Sequence, residues 1–318
     1  MIVKKREIPL RILIDEALLR RLPLNHPKRT EITQDLLIRR AGFKGEQDMD
    51  YYLSLLDDSE FYILQNIRLP LGNNHFQIDF LLLSITFILL IENKNMPGYI
   101  EFDADFNQVI RRNNGKTEIY DDPVLQVKRQ LIQLAHWLKL NHFTIPPLEF
   151  LVTYSNQGSI LQNPTKNEEI YKRVCKGGAA VMKIEEFKNR NTKEIFSQKD
   201  IKRLVKFLIK SHEPEGSHLN KFSLSSADFV LGVACPSCSR LYMERISGSW
   251  HCANCGTSSS DAHVQTIMDY FLIGNPSITN KQLRLLLKLP SDKTASRLLL
   301  NTNLPFSGTT KNRVYFPK

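Results

Sequence analysis

The chain has 318 residues, with 43 Lys and Arg against 33 Asp and Glu for a formal net charge of +10, and five cysteines. A balance of 42% hydrophobic and 24% charged residues is that of a globular protein of two or three domains, and it excludes collagenous, disordered and disulfide-scaffold classes. The longest uncharged apolar run, residues 80–91 between Asp79 and Glu92, falls short of the roughly 20 residues that a membrane helix needs. No apolar stretch or small-residue cleavage site follows the charged start of the chain, so the expectation is a cytoplasmic protein with reduced thiols and no membrane association. The excess of positive charge favours a polyanionic partner, nucleic acid first.

Residues 1–41 read as a basic helical extension, with short helices around the loop that Pro23 and Pro27 impose. Residues 42–212 read as the main domain. Met49, Tyr52, Leu53 and Leu56 recur at helical spacing and predict a helix over 45–56 with Glu46 in its first turn. Runs at 61–69, 76–83 and 85–92, broken at Gly72-Asn73-Asn74 and near Ser84, predict an antiparallel meander. Strands at 99–102, 108–112 and 117–120 follow, with Asn113-Asn114-Gly115 as a hairpin turn. Asp122-Pro123 reads as a cap and first-position proline opening a helix to about Leu140, its apolar stripe on Val124, Val127, Leu131, Leu134 and Leu138. Gln126, Arg129, Gln130 and Gln133 fall largely off that stripe. Strands are predicted at 148–153 and 179–184, a basic helix at 199–210 and a linker at 213–232. The expected fold class is α/β (α+β), a central mixed sheet flanked by helices.

Asp79 starts one central strand at its polar end and Glu92-Asn93-Lys94 closes the next, so an antiparallel turn between them brings two carboxylates together. Side chains alternate along a strand, which puts Glu92 and Lys94 on one face and Asn93 on the other. Clustered carboxylates suit a hard cation such as Mg²⁺ or Mn²⁺, which polarises phosphate and activates water, while a lysine orients that water or offsets developing charge.

These residues resemble the nuclease-related domain, NERD, of the PD-(D/E)XK nuclease superfamily. The resemblance covers residues 42–154 and rests on Gly45-Glu46, Gln77-Ile78-Asp79-Phe80, Ile91-Glu92-Asn93-Lys94-Asn95 with Gly98-Tyr99-Ile100, and Asp122-Pro123-Val124-Leu125-Gln126. It implies an active site of Glu46, Asp79, Glu92, Lys94 and Gln126. Asp79 and Glu92 would hold Mg²⁺, Lys94 would align the attacking water, Glu46 would add a ligand or base, and Gln126 would orient water or phosphate. The chain departs from the family pattern at Asp122, where an Asn is usual, and at Asn93, where an apolar residue is usual. Lys128 and Arg129 are further candidates for phosphate contact.

Cys235-Pro-Ser-Cys238 and Cys252-Ala-Asn-Cys255, thirteen residues apart, form two thiolate pairs on tight turns, the spacing of a structural Cys₄ Zn²⁺ site in a ribbon over 233–258. Cys252 completes that spacing better than His251 does, and Cys175 stands alone as an inert thiol. Residues 259–318 read as three short helices and a terminal hairpin resembling a winged helix-turn-helix, with Lys293, Arg297, Lys311 and Arg313 placed for phosphate contact. The leading functional expectation is a Mg²⁺-dependent nuclease acting on nucleic acid, DNA first. Its rival is a non-catalytic nucleic-acid-binding or regulatory protein on the same scaffold. A protein partner or homo-oligomer fits this modular layout as well.

Overall fold

The structure, a computed structural model, describes residues 1–216, 219–309 and 312–317. In chain order it opens with β1 (Ile2–Lys4), α1 (Leu10–Arg21), α2 (Arg29–Leu53), β2 (Tyr62–Leu71), β3 (Asn74–Leu83) and β4 (Ile88–Lys94). There follow β5 (Gly98–Asp103), β6 (Gln108–Asn113), β7 (Lys116–Asp121), α3 (Pro123–Leu140), β8 (Leu148–Tyr154), β9 (Ser159–Gln162), α4 (Glu168–Arg173), β10 (Val174–Lys176), α5 (Ala180–Arg190) and α6 (Gln198–Lys210). The chain divides into two compact units, one of residues 1–8 and 40–215 and the other of residues 9–39 and 216–318. The first 41 residues, expected as a single extension, are thus shared between units. No helix among the described residues is long and apolar enough to cross a membrane.

The first unit is built on a mixed six-stranded sheet in the order β1-β2-β3-β4-β8-β10. The expected meander is present: β2 pairs antiparallel with β3 and β3 with β4, with Phe80 opposite Ile91. Parallel pairing of β4 with β8 places Lys94 opposite Tyr154 and leaves both strands ending at the same edge. Leu81, Leu83, Ile88 and Leu90 pack on one face with Val127, Leu134 and Leu138 of α3. Phe80, Leu82, Leu89 and Ile91 pack on the other with Met49 and Leu53 of α2 and Ile184 and Phe187 of α5. A second sheet, β7-β6-β5-β9, carries the expected hairpin, where Asn114 and Gly115 take positive φ of 49° and 74° as a two-residue hairpin turn requires.

Two expectations are corrected. Residues 179–184 form no strand: α5 runs Ala180–Arg190, and burial of Ala180, Ile184 and Phe187 has the 3.6-residue period that a six-residue window hides. The helix predicted over 45–56 is the end of a single helix that starts at Arg29, so Glu46 lies in its interior and gains nothing from the helix N-terminus.

The second unit adds β11 (Glu244–Ile246), β12 (Ser249–His251), β13 (Ser258–Ser259), α7 (Ala262–Leu272), β14 (Ile278–Thr279), α8 (Asn280–Leu287), α9 (Asp292–Asn301), β15 (Phe306–Ser307) and β16 (Val314–Tyr315). Val233, Trp250, Ile267, Leu283 and Leu298 share one core, which joins the cysteine segment to the tail helices. α1 docks on α7 through ions: Arg21 donates through Nε to Asp269 at 2.8 Å and Arg20 through Nη2 to its other oxygen at 2.8 Å. Asp269 is fully buried, so each arginine answers a charge that would otherwise be stranded. The residues expected as a linker include Phe222, buried against Ile14, Leu18 and Ile32.

Candidate active site

The end of β4 gathers the polar side chains. Glu92 is 3% exposed, and its two oxygens are both engaged. Oε1 accepts from Lys94 Nζ at 2.7 Å and Gln126 Nε2 at 2.8 Å, and Oε2 accepts from Gln130 Nε2 at 3.0 Å. Lys94 Nζ also donates to Gln126 Oε1 at 2.9 Å, closing a triangle of acid, ammonium and amide. Helix α3 can present Gln126 here because Asp122 caps it, accepting from the Val124 N–H at 2.7 Å, with Pro123 in the first turn.

Asp79 stands on β3 one position before Phe80, and Glu92 on β4 one position after its partner Ile91, so the two acids share the next rung. Asp79 Oδ2 accepts from the Asn93 backbone N–H at 3.0 Å. Burial, and then the charges of Glu92 and Glu46, push the Asp79 carboxyl well above the usual carboxylate range. Asn93 points to the opposite face, donating to Ser155 Oγ at 3.1 Å and accepting from Thr153 Oγ1 at 3.0 Å. The polar residue that departs from the family pattern thus pins β4 to β8.

Glu46 arrives from α2. Its Oε2 accepts from Asn66 Nδ2 at 2.8 Å and from Arg6 Nη1 at 3.1 Å, and burial raises its pKa. Gly45, just before it, lets the helix approach: a Cβ there would lie 2.4 Å from Asn95 Cβ and 2.8 Å from Ser155 Oγ. The structure therefore brings Asp79, Glu92, Lys94 and Gln126 together and sets Glu46 within electrostatic reach of Asp79. Sequence reading missed Arg6, Asn66 and Gln130. Gln130 had a signal, since it follows Gln126 by one helical turn on the polar side of α3. Asn66 lies inside an apolar strand run, and Arg6 is remote in sequence.

The basic candidates separate. Lys128 is paired with Glu169 at 2.6 Å, while Arg129 is exposed on α3. Lys293 and Arg297 are exposed one turn apart on α9, and Arg313 stacks on Phe306 at 4.3 Å. Lys311 lies outside the described residues.

The four thiols of Cys235, Cys238, Cys252 and Cys255 lie within 4.8 Å of one another. The Cys235–Cys255 and Cys238–Cys252 Sγ separations are both 3.6 Å, close to the about 3.8 Å edge of a tetrahedron with Zn–S bonds of about 2.3 Å. The Thr257 hydroxyl beside Cys255 brings its thiol down to about 6, while Cys252 in the same cluster is raised to about 11, so without a metal the thiolate is concentrated at Cys255. His251 is instead bonded through Nδ1 to Ser258 Oγ at 2.8 Å. Cys175 is buried, its thiol pushed up to about 12 by desolvation.

A mixed sheet flanked by helices, with carboxylates and a lysine at the end of a central strand, defines a nuclease-like α/β core. Residues 41–155 match the family model of the nuclease-related domain, NERD, a span that contains Glu46, Asp79, Glu92, Lys94 and Gln126 and leaves out Arg6. No curated protein and no solved structure matches the chain.

The acid site also suits a divalent cation. Asp79 Oδ1 and Glu46 Oε1 have no hydrogen-bond partner among the described residues, and a cation would offset both the burial and, after it, the repulsion from Glu92 and Glu46 that raise the Asp79 pKa. Among the described residues only the cysteines gather three or more metal-binding side chains. Mg²⁺ needs fewer, since it commonly keeps several waters and takes one or two carboxylates.

Proposed function

We propose that the first unit is a divalent-metal-dependent nuclease that hydrolyses phosphodiester bonds of nucleic acid, DNA first. The observation that carries this reading is the Glu92–Lys94–Gln126 triangle beside Asp79 at the end of β4. Asp79 and Glu92 would hold Mg²⁺ or Mn²⁺, which when bound would polarise the phosphate and acidify water. Lys94 carries its charge at the strand end, where it orients a water nucleophile and offsets charge on the phosphate oxygens. Gln126 fixes the lysine by accepting a hydrogen bond from it and fixes Glu92 by donating one to it. Glu46, held by Asn66 and Arg6, supplies a further acid. The cysteine quartet is assigned a structural Zn²⁺, since four sulfurs leave no open position. The exposed Lys293 and Arg297 on α9 are assigned to phosphate contact, consistent with a winged-helix role for the tail.

A second reading, binding without cleavage, is favoured by the engagement of both Glu92 oxygens. The deciding experiment offers linear, circular, single-stranded and RNA substrates to zinc-loaded protein with and without Mg²⁺ or Mn²⁺, beside Lys94→Ala. Cleavage that requires the added cation and disappears in the variant supports the nuclease. Salt-sensitive binding with no cleavage of any substrate supports the binder, because phosphate contacts make affinity fall with salt.

A further inference from the structure

Among the described residues of the first unit, two buried side-chain polar atoms have no hydrogen-bond partner, Nε of Arg6 and Oε1 of Gln130. Both belong to side chains that hold a carboxylate of the acid site, Arg6 on Glu46 and Gln130 on Glu92. Gln130 stands beside the acid at the end of β4, one turn beyond Gln126 on α3, and is 7% exposed. Its orientation is set by Glu92. Lys94 Nζ, Gln126 Nε2 and Gln130 Nε2 all donate to that carboxylate, whose oxygens only accept, so the amide of Gln130 turns its nitrogen toward Glu92 and its oxygen away.

The two oxygens of Glu92 are unequally loaded. Oε1 receives the Lys94 ammonium and the Gln126 amide, which occupies both of its lone pairs, whereas Oε2 receives only Gln130 at 3.0 Å and keeps one lone pair. A cation that binds Glu92 therefore meets it at Oε2, the oxygen that Gln130 holds. On its other side Gln130 carries an acceptor that no donor among the described residues reaches, and an acceptor buried in that state is destabilising. The oxygen and nitrogen of the amide share one carbon, so a donor that meets the oxygen also stands close to Glu92. The phosphodiester group of a nucleic acid brings only acceptors to that place. A hydrated Mg²⁺ brings donors, because it sheds water reluctantly and polarises the waters it keeps.

We infer that Gln130 is a positioning residue for the cation: its Nε2 aims the Glu92 oxygen that takes the metal, and its Oε1 accepts from a water that the metal carries. The two glutamines of α3 thus divide the carboxylate, Gln126 sharing one oxygen with Lys94 and Gln130 keeping the other for the cation. The inference rests on the divalent-metal reading of the acid site, and its test separates the two.

The test titrates full-length, zinc-loaded protein with Mg²⁺. Calorimetry gives the affinity of wild type and of Gln130→Met, and NMR follows the side-chain amide of Gln130 in wild type, a measurement that needs no variant to fold. The expected result is that the Gln130 amide resonance moves with Mg²⁺ and saturates together with the heat of binding, and that Gln130→Met weakens Mg²⁺ binding about ten- to a hundredfold. The metal-free variant should melt close to wild type, because the bond lost to Glu92 is offset by removal of the unpaired acceptor. A glutamine with a structural role alone would change the metal-free melt and leave the Mg²⁺ affinity as it was. Equal affinity in wild type and variant, or a Gln130 amide indifferent to bound Mg²⁺, overturns the role of Gln130 alone. Wild-type protein that binds neither Mg²⁺ nor Mn²⁺ overturns the divalent-metal reading beneath it.

Discussion

Arg6 donates to Glu46 at 3.1 Å and to Asp50 at 2.8 Å, with its guanidinium stacked at 4.8 Å on the Phe80 ring. A residue outside the span of the family match thereby secures an acid inside it. Its backbone N–H donates to Gln65 Oε1 at 2.9 Å, so the segment after β1 is fixed against β2 as well.

Arg6→Ala leaves two poorly solvated carboxylates without their cation, and the expected loss of stability is about 2–4 kcal/mol. The double variant Arg6→Ala with Glu46→Gln should recover a large part of it, because the uncompensated charge is then removed. Chemical denaturation of the four proteins of the cycle measures this. A double variant no more stable than Arg6→Ala would place the loss elsewhere.

Asp79 gives a pH dependence. Burial and the neighbouring acids raise its folded pKa, so the folded state holds the proton more tightly than the unfolded state does. The stability from that proton is complete below the unfolded value of about 3.9 and is lost as pH climbs through the raised folded value. At neutral pH the metal-free protein therefore carries a charge penalty that Asp79→Asn removes. The variant should melt higher than wild type at pH 7, the gain should vanish near pH 3–4, and added Mg²⁺ should raise the melting temperature of wild type far more than that of the variant. Thermal melts across pH, with and without Mg²⁺, read all three.

Gly45 and Gly42 share a helix but differ in surroundings. A methyl group at Gly45 collides with Asn95 and Ser155, whereas Gly42 has nothing within 4 Å. Gly45→Ala should cost about 1–3 kcal/mol and slow cleavage as α2 carries Glu46 away. Gly42→Ala should stabilise by about 0.5–1 kcal/mol through helix propensity, with activity unchanged.

Purified protein should contain one Zn²⁺ per chain, lost on mutation of Cys235 or Cys252 to Ser. Trp250 is buried beside the cysteines and bonded through Nε1 to His263 Nδ1 at 3.1 Å, so in a Trp137→Phe background, which removes the second tryptophan, its fluorescence reports this unit. Chelation should shift that emission to the red, because the metal supplies much of the folding free energy of so small a module. An unchanged spectrum with zinc removed would show a cysteine segment held by its apolar core alone.

Where local chemistry sets the element, the sequence was legible. Asp122-Pro123 marked the start of α3, Asn114-Gly115 the turn between β6 and β7, and the apolar runs β2, β3 and β4, which together imply the Asp79–Glu92 rung. Ala180, Ile184 and Phe187 show the limit: over six residues a buried helix and a buried strand look alike, and only the longer period separates them. Arg6 and Asn66 were illegible for another reason. Their partner Glu46 is 40 and 20 residues away, and no spacing rule reaches that far. Gly45 was read as part of a motif, while its steric function needs the position of Asn95.

Asn66 carries a consequence beyond its bond to Glu46. Every residue from Tyr62 to Leu71 pairs across β2 and β3 except Asn66, which takes a φ of 49° opposite Asp79 while the register on either side is kept. The interruption lies deep in the sheet, away from its fraying ends. Amide hydrogens around Asn66 and Asp79 should accordingly exchange with solvent sooner than those of Leu64 and Leu81 nearby, giving water a way in at the rung where a hydrolytic site would need it.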